Sequence, residues 1–339
     1  MPRTMPIPAD RLIRAFAAAR RTAWSHEHIY NSVNTLNRLA AWLAERDVTL
    51  VDASATDLDE YLAERLDSGR SPNTVKGNHV QIKGFYTWAA EDPGDGLPYV
   101  ARNPMRRVAV PKQEDPDPAR CPETAEWEYR ALLATCTGRR TRAGDRRALD
   151  RRDAAIIAVL WHCGVRRGEL VAIDYAHVDW DAQMIHLPRT KGRGRTRSRD
   201  VYLPDEAMTV LERYVWERGQ HDGPLFESTR RSGAVLTRRA LAANSVHLML
   251  VRRCAVAEAA EGLAAGSMRT RSHGFRRGLA SDWLESGGSQ AALETQMGWR
   301  HDGHMAARYA GKRLTKIAAA EARAVAEARS GSGRLRRVS

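Results

Sequence analysis

The sequence predicts a mainly α-helical protein with one small antiparallel β-sheet, divided into two domains. Three observations carry that reading. Apolar residues recur at a 3.6-residue rhythm through most of the chain. Only Met184-Ile185-His186-Leu187 and Val201-Tyr202-Leu203 alternate as strands do. Seven of the 14 prolines fall between Pro93 and Pro122, where regular structure has to stop. The boundaries follow: an all-helical domain over 1–103, a linker over 104–120, an α+β domain over 121–329 and a flexible basic tail over 330–339.

In the first domain, residues 9–20 read as a helix with Leu12, Ile13 and Phe16 on one side. His26 to Glu45 carries Ile29, Val33, Leu36, Ala40 and Leu43 as its stripe. Asp57 is positioned to cap a third helix bearing Leu58, Tyr61, Leu62 and Leu66. Ser71-Pro72 opens a fourth, Ser as cap and Pro as first helical residue, with Val75, Ile82, Phe85, Tyr86 and Ala89 facing inward. Lys76 and Lys83 lie on its polar side, and Arg106-Arg107 sit in a segment suited to run extended along a polyanion. In the second domain, residues 123–136 predict a helix, 138–152 a loop rich in Arg and Gly, and Arg152 to His162 a buried helix that Gly164 ends. The next helix begins at Val165-Arg166-Arg167-Gly168-Glu169-Leu170. Between the two alternating stretches a basic residue stands at every second position: Arg189, Lys191, Arg193, Arg195, Arg197 and Arg199, with Gly192 and Gly194 between them. That is the pattern of a basic β-finger able to enter a DNA groove. Residues 205–260 read as helical, capped by Asp205 and Asn244, with Leu225-Phe226 as a short buried loop. The helix after Arg276 carries Leu279, Trp283 and Leu284. Ala291 to Met297 forms another, and 311–329 is an Ala-rich helix.

Charge narrows the function. Lys+Arg number 54 against 41 Asp+Glu, a net charge of +13 weighted toward arginine, which suits a polyanion such as nucleic acid. Cys121, Cys136, Cys163 and Cys254 are too far apart in sequence for a zinc ribbon or a C-x-x-C pair, and a reducing compartment fits them. The longest apolar run, Ala154 to Trp161, is far short of the ~20 residues that span a membrane. Met1-Pro2-Arg3-Thr4-Met5 has no apolar core of a signal peptide. A cytoplasmic protein with no membrane partner is expected, and one with no additional DNA-binding domain ahead of residue 9. His26 and His28 face different sides of a helix, and His301-x-x-His304 lacks a third ligand, so no metal and no cofactor are expected.

His273-Gly274-Phe275-Arg276 puts an imidazole and a guanidinium on one helical face. The guanidinium fits two phosphate oxygens, and the imidazole trades a proton near neutral pH. Taken with Arg166, Lys191, Trp299 and Tyr309, these motifs identify the chain as resembling the tyrosine recombinases of the phage-integrase family. The matching stretches are 163–170, the Lys191 hairpin, His273-Gly274-Phe275-Arg276-Arg277, Met297-Gly298-Trp299 and Arg308-Tyr309, with Ser71-Pro72-Asn73-Thr74 and Phe85-Tyr86-Thr87-Trp88 similar to that family's core-binding domain. Trp299 stands where many members carry histidine, and the interval from Trp299 to Tyr309 is one residue longer than the commonest form. Of nine tyrosines, Tyr309 alone follows Arg276.

The chemistry agrees with the resemblance. A tyrosine hydroxyl can hold a DNA phosphate covalently and so conserve the bond energy. It titrates near ~10, so its proton needs a base, and His273 is placed to be one. Arg166 and Arg276 would bracket the charge that gathers on phosphorus, the work a metal does elsewhere. The resemblance implies Lys191 as general acid, Trp299 as an indole donor or a packing residue, Tyr309 as nucleophile, double-stranded core sites as substrate, and a tetramer exchanging strands through a Holliday junction. It also implies that accessory DNA-bending or directionality factors can take part. Arg189, Arg193, Arg195, Arg197, Lys76, Lys83, Arg106 and Arg107 are the expected DNA contacts. Integration or excision of a phage or other mobile element is the expected role. The alternatives are a type IB topoisomerase-like nicking-closing enzyme and a DNA-binding regulator that lacks the chemistry.

Overall fold

The computed structural model describes residues 7–91, 97–112, 122–138, 140–141, 144–188, 198–230 and 235–299, with 323 and 325–326. The chain divides into two compact units, Met1–Pro116 and Asp117–Ser339. Among the described residues the helices dominate and all strand pairs are antiparallel.

The first unit packs α1 (Ala9–Arg20), α2 (His26–Ala44), α3 (Ala55–Asp67) and α4 (Pro72–Ala89) around one core. Phe16 anchors it, with its ring edge-on to Trp24 and Phe85 at 5.5 Å from each, contacts worth about 0.5–1.5 kcal/mol apiece beyond burial. The α4 stripe is buried as expected, and Ser71 accepts the Thr74 N–H at its start. Two local readings change. The cap of α3 is Ser54, and Asp57 is the reciprocal partner: Ser54 N–H donates to Asp57 Oδ2 at 2.7 Å, and Asp57 N–H to Ser54 Oγ at 3.2 Å. These two residues thus form a capping box. The α2 stripe is rotated, burying Ser32, Thr35, Leu36, Leu39 and Leu43. Two polar residues can face inward because both are paired. Ser32 Oγ donates to the His28 carbonyl at 2.8 Å, and Thr35 Oγ1 accepts from Asn78 Nδ2 at 3.1 Å. Residues 104–108, expected to open the linker, pack on this unit instead. Pro104–Arg106 is a 3₁₀ turn, and Met105 and Val108 lie in the core on either side of exposed Arg106 and Arg107.

The second unit is built on α6 (Arg147–Cys163), wrapped by α5 (Glu126–Ala134), α8 (Asp205–Arg218), α9 (Ala243–Ala260) and α10 (Ser272–Glu285). From Ala155 to Leu160 every side chain of α6 is fully buried. The helix begins five residues before the expected Arg152, inside the stretch read as a loop, and the short pair β1 (Arg140–Thr141) and β2 (Gly144–Asp145) precedes it. The charges that suggested a loop are paired internally: Arg253 Nη2 meets Asp150 Oδ1 at 2.6 Å and Asp153 Oδ2 at 2.7 Å, and Arg152 meets Asp153 at 2.9 Å. A single turn, α7 (Arg167–Leu170), follows. Strands β3 (Val178–Asp179), β4 (Met184–Leu187) and β5 (Arg199–Tyr202) form a sheet in that order, with Leu187 opposite Arg199 at the root of the expected finger. The stretch read as helical over 205–260 contains a hairpin, β6 (Glu227–Thr229) with β7 (Leu236–Ala240). Its residues lack apolar alternation. Side-chain bonds hold it, among them Arg238 N–H to Glu227 Oε2 at 2.6 Å. The last described helix of eight residues, α11 (Gln290–Met297), packs with the end of α10 in a small core of Ala280, Leu284, Leu293 and Met297. No helix among the described residues is long and apolar enough to cross a membrane.

Candidate active site

The site is assembled from three chain turns: the exit of α6, the first turn of α10 and the exit of α11. Helix α6 stops at Gly164, whose φ of 57° is left-handed. Arg166 then caps the single turn α7 rather than starting a long helix. Its backbone N–H donates to Glu169 Oε2 at 2.9 Å and its guanidinium to Glu169 Oε1 at 2.7 Å, leaving the Arg166 side chain 41% exposed. This i,i+3 pair holds the arginine while one edge stays open to solvent.

Helix α10 brings His273 and Arg276 to the same place. Gly274 and Gly278 let it lie flush on residues 122–124: a Cβ at Gly278 would come within 2.7 Å of the Thr124 carbonyl oxygen, and one at Gly274 within 2.8 Å of the Pro122 carbonyl oxygen. Arg276 is 2% exposed. Its Nη1 donates to the Gly164 carbonyl at 2.7 Å, its Nη2 donates to the Met297 carbonyl, and its Cζ sits 5.2 Å from the centre of the Trp299 ring. A cation over an indole face is attracted to it. Trp299 also packs against the small α10–α11 core. His273 has a solvent-facing edge. The surrounding protein first, and then the charges of Arg276, Arg277 and Arg166, hold its imidazole below the usual 6.5. A neutral imidazole is the form that can accept a proton. Arg166, His273, Arg276 and Trp299 thus come together from positions up to 133 residues apart in sequence.

Lys191, Arg189, Arg193, Arg195, Arg197 and Tyr309 lie outside the described residues, as do His301 and His304. In the first unit, Lys83, Arg106 and Arg107 are exposed and Lys76 is half-buried. Among the described residues no cluster of His, Cys, Asp and Glu could hold a metal. Cys163, beside the site, is fully buried, and burial pushes its thiol up to about 12, so it has little nucleophilic character at neutral pH.

Two residues of the site were not singled out from the sequence as functional. Glu169, 1% exposed, accepts from Arg166 and also from Arg199 Nη1 at 3.2 Å and Nη2 at 3.0 Å. Burial works to raise its pKa. The hydrogen bonds and charge of Arg199, joined by those of Arg166, outweigh burial and bring it to about 2. Arg199 was counted as the last rung of the basic finger. A usable signal was its spacing: it shares the parity of Val201 and Leu203, both buried, so it had to lie on the core face of β5 and needed a counter-charge.

Residues 124–315 match the family model described as the phage integrase family. The chain belongs to the phage integrase family. Among curated members, tyrosine recombinase XerD of Pseudomonas putida is 30% identical over 204 residues. That alignment covers 58% of this chain and 61% of the relative's length. XerD of Pseudomonas aeruginosa is 28% identical, over 68% of this chain and 72% of its own. Among solved structures, a lambda integrase tetramer bound to a Holliday junction superposes with a TM-score of 0.63 at 15% identity, covering 90% of this chain and 78% of that one. The Tn1549 transposon integrase in complex with circular intermediate DNA gives 0.62 at 16% identity, covering 88% and 94%. The phage-integrase fold is therefore the fold of this chain, mainly helical with small antiparallel sheets.

Proposed function

We propose that the chain is a site-specific tyrosine recombinase that cuts and rejoins duplex DNA through a covalent 3′-phosphotyrosyl link, without a metal. The observation that carries this reading is the convergence of Arg166, His273, Arg276 and Trp299 on one site in a chain of this family. In the cleavage step the Tyr309 oxygen attacks the scissile phosphorus and its proton passes to His273. The P–O5′ bond breaks, and the 5′-oxygen takes a proton from Lys191. Arg166 and Arg276 offset the charge that builds on the non-bridging oxygens. A second DNA 5′-hydroxyl then reverses the step and releases the tyrosine.

The first unit serves as the core-binding domain and the second as the catalytic domain. Lys76, Lys83, Arg106 and Arg107 grip phosphates from the first unit, and Arg189, Arg193, Arg195 and Arg197 do so from the finger. The partner is double-stranded DNA bearing core sites, the ligand named for a lambda integrase dimer of related fold. Four copies act on two sites through a Holliday junction, with accessory DNA-bending factors able to set direction. The protein works on DNA in the cytoplasm. Moving a phage or other mobile element is the role we assign.

A suicide duplex carrying a nick beside the cleavage site tests the reading. The chain should become covalently joined to DNA, and Tyr309→Phe should form no adduct while still binding. An adduct that survives Tyr309→Phe would sink the assignment of the nucleophile. Relaxed circles without recombinant joints would point instead to a nicking-closing enzyme.

A further inference from the structure

Arg199 is a charged side chain in a place where a hydrophobic one would ordinarily sit. It is the first residue of β5, and its side chain is 6% exposed. It reaches in two directions. Its Nη1 and Nη2 fork onto both oxygens of Glu169, and its Nε donates to the Gln296 carbonyl at 2.8 Å. The carboxylate of Glu169 is thereby shared evenly, each oxygen accepting one bond from Arg166 and one from Arg199. The second contact is to the end of α11. The carbonyls of Gln296 and Met297 belong to the last turn of that helix, where helical partners are missing. Arg199 takes the first and Arg276 the second. Gly298 completes the fit, since a Cβ there would approach Arg199 Nη1 to 2.7 Å.

Charge makes the arrangement more than a brace. Glu169 alone would neutralise Arg166, and the pair would offer a phosphate little net attraction. With Arg199 present the trio carries one net positive charge, and Arg166 holds the exposed edge. A buried ion pair adds little stability over apolar residues of the same volume, so packing alone does not account for it.

We propose that Arg199 is a positioning residue for strand cleavage: it offsets Glu169 so that Arg166 keeps its charge for the scissile phosphate, and it fixes the end of α11 from which the chain runs on to Trp299 and Tyr309. This rests on the recombinase reading above. Its distinctive consequence concerns the charge of the phosphate. If Arg199 acts through Arg166, it matters less when the scissile phosphate carries no charge.

The experiment compares single-turnover cleavage of two suicide duplexes, one with a normal phosphodiester and one with a methylphosphonate at the cleavage point. Arg199→Ala should cut the phosphodiester about 100-fold more slowly and lose markedly less on the methylphosphonate, as Arg166→Ala should. Arg199→Lys, which keeps the charge and loses the fork, should fall between. The ratio of the two rates does not depend on how much of a variant is folded. An equal loss on both substrates, or no loss, overturns the proposal. A 5′-bridging phosphorothiolate site, whose sulfur leaves without a proton, should restore Lys191→Ala and not Arg199→Ala. Restoration of Arg199→Ala would mean that it acts only through the finger, and would also overturn the proposal. If the unaltered chain forms no adduct on the phosphodiester, the recombinase reading fails instead.

Discussion

Arg276 is held inside the protein. Two main-chain carbonyls and an indole face fix it, so in the proposed reaction its charge would meet a phosphate with no side-chain search and little reorganisation. His273, one turn away, is held below the usual imidazole range by burial and by Arg276, Arg277 and Arg166. The acid limb of cleavage should therefore lie below pH 6.5. Removing a neighbouring positive charge favours imidazolium, so Arg277→Ala should move that limb to higher pH, as a pH–rate profile would read. A limb that stayed in place would remove His273 from the role of base. Glu169 gives a stability test. Its folded pKa of about 2 lies under the ordinary 4.5, so the unfolded chain binds its proton more readily. The stability it contributes is complete above the ordinary value and is lost as the pH falls toward 2. Glu169→Gln leaves Arg199 buried without a counter-charge and should cost about 3–5 kcal/mol in denaturant unfolding at neutral pH. At this scale short motifs single out Arg166, His273, Arg276 and Trp299, and the structure places them near one another. Glu169 was visible only as a helix neighbour, since its second partner stands 30 residues away.

The elements show where local rules hold and where packing overrides them. Helix α1 follows from periodicity, and α4 from periodicity and the Ser71 cap. The early start of α6 and the β6–β7 hairpin do not. At α6 polar residues satisfy one another across a long sequence gap, the 103 residues between Asp150 and Arg253. In the hairpin the partners are local, Arg238 with Glu227 and Thr237 with Ser228, but they are polar and leave no apolar alternation to read. Helix α10 carries its own test. The nearest obstacle to a Cβ at Gly278 is the Thr124 backbone, which cannot swing aside. Gly278→Ala should lift the helix, cost about 1–3 kcal/mol and slow cleavage by displacing His273 and Arg276. Thermal unfolding and cleavage measured on one preparation check it, and an alanine variant of normal stability and rate would mean that the close contact does not set the site.

For the molecule as a whole, the excess of 54 basic over 41 acidic residues would set the terms of the proposed DNA binding. Affinity should fall with salt by about 0.9 log unit per log unit for each phosphate neutralised. Alanine at Lys83, Arg106 or Arg107 should each reduce that slope by about one such step if the residue grips a phosphate. Under the proposed scheme cleavage should proceed in EDTA, with guanidiniums in the place of a metal, and a strict magnesium requirement would count against it. The density of prolines predicts a division of the chain, and two compact units are found, Met1–Pro116 and Asp117–Ser339. That Met105 and Val108 pack on the first unit is not visible in sequence, because they stand in a short stretch broken by prolines and arginines, and only the assembled core shows that they belong to it.

The seat of Arg276 has one more consequence. Two of its hydrogen bonds go to peptide oxygens, at Gly164 and Met297, and every amino acid supplies the same oxygen. Replacing Met297 by another residue of similar bulk would leave that grip untouched, whereas rerouting the peptide chain at the end of α11 would undo it. The anchoring of this arginine is thus inherited with the path of the backbone, and drift in the neighbouring side chains cannot easily erase it.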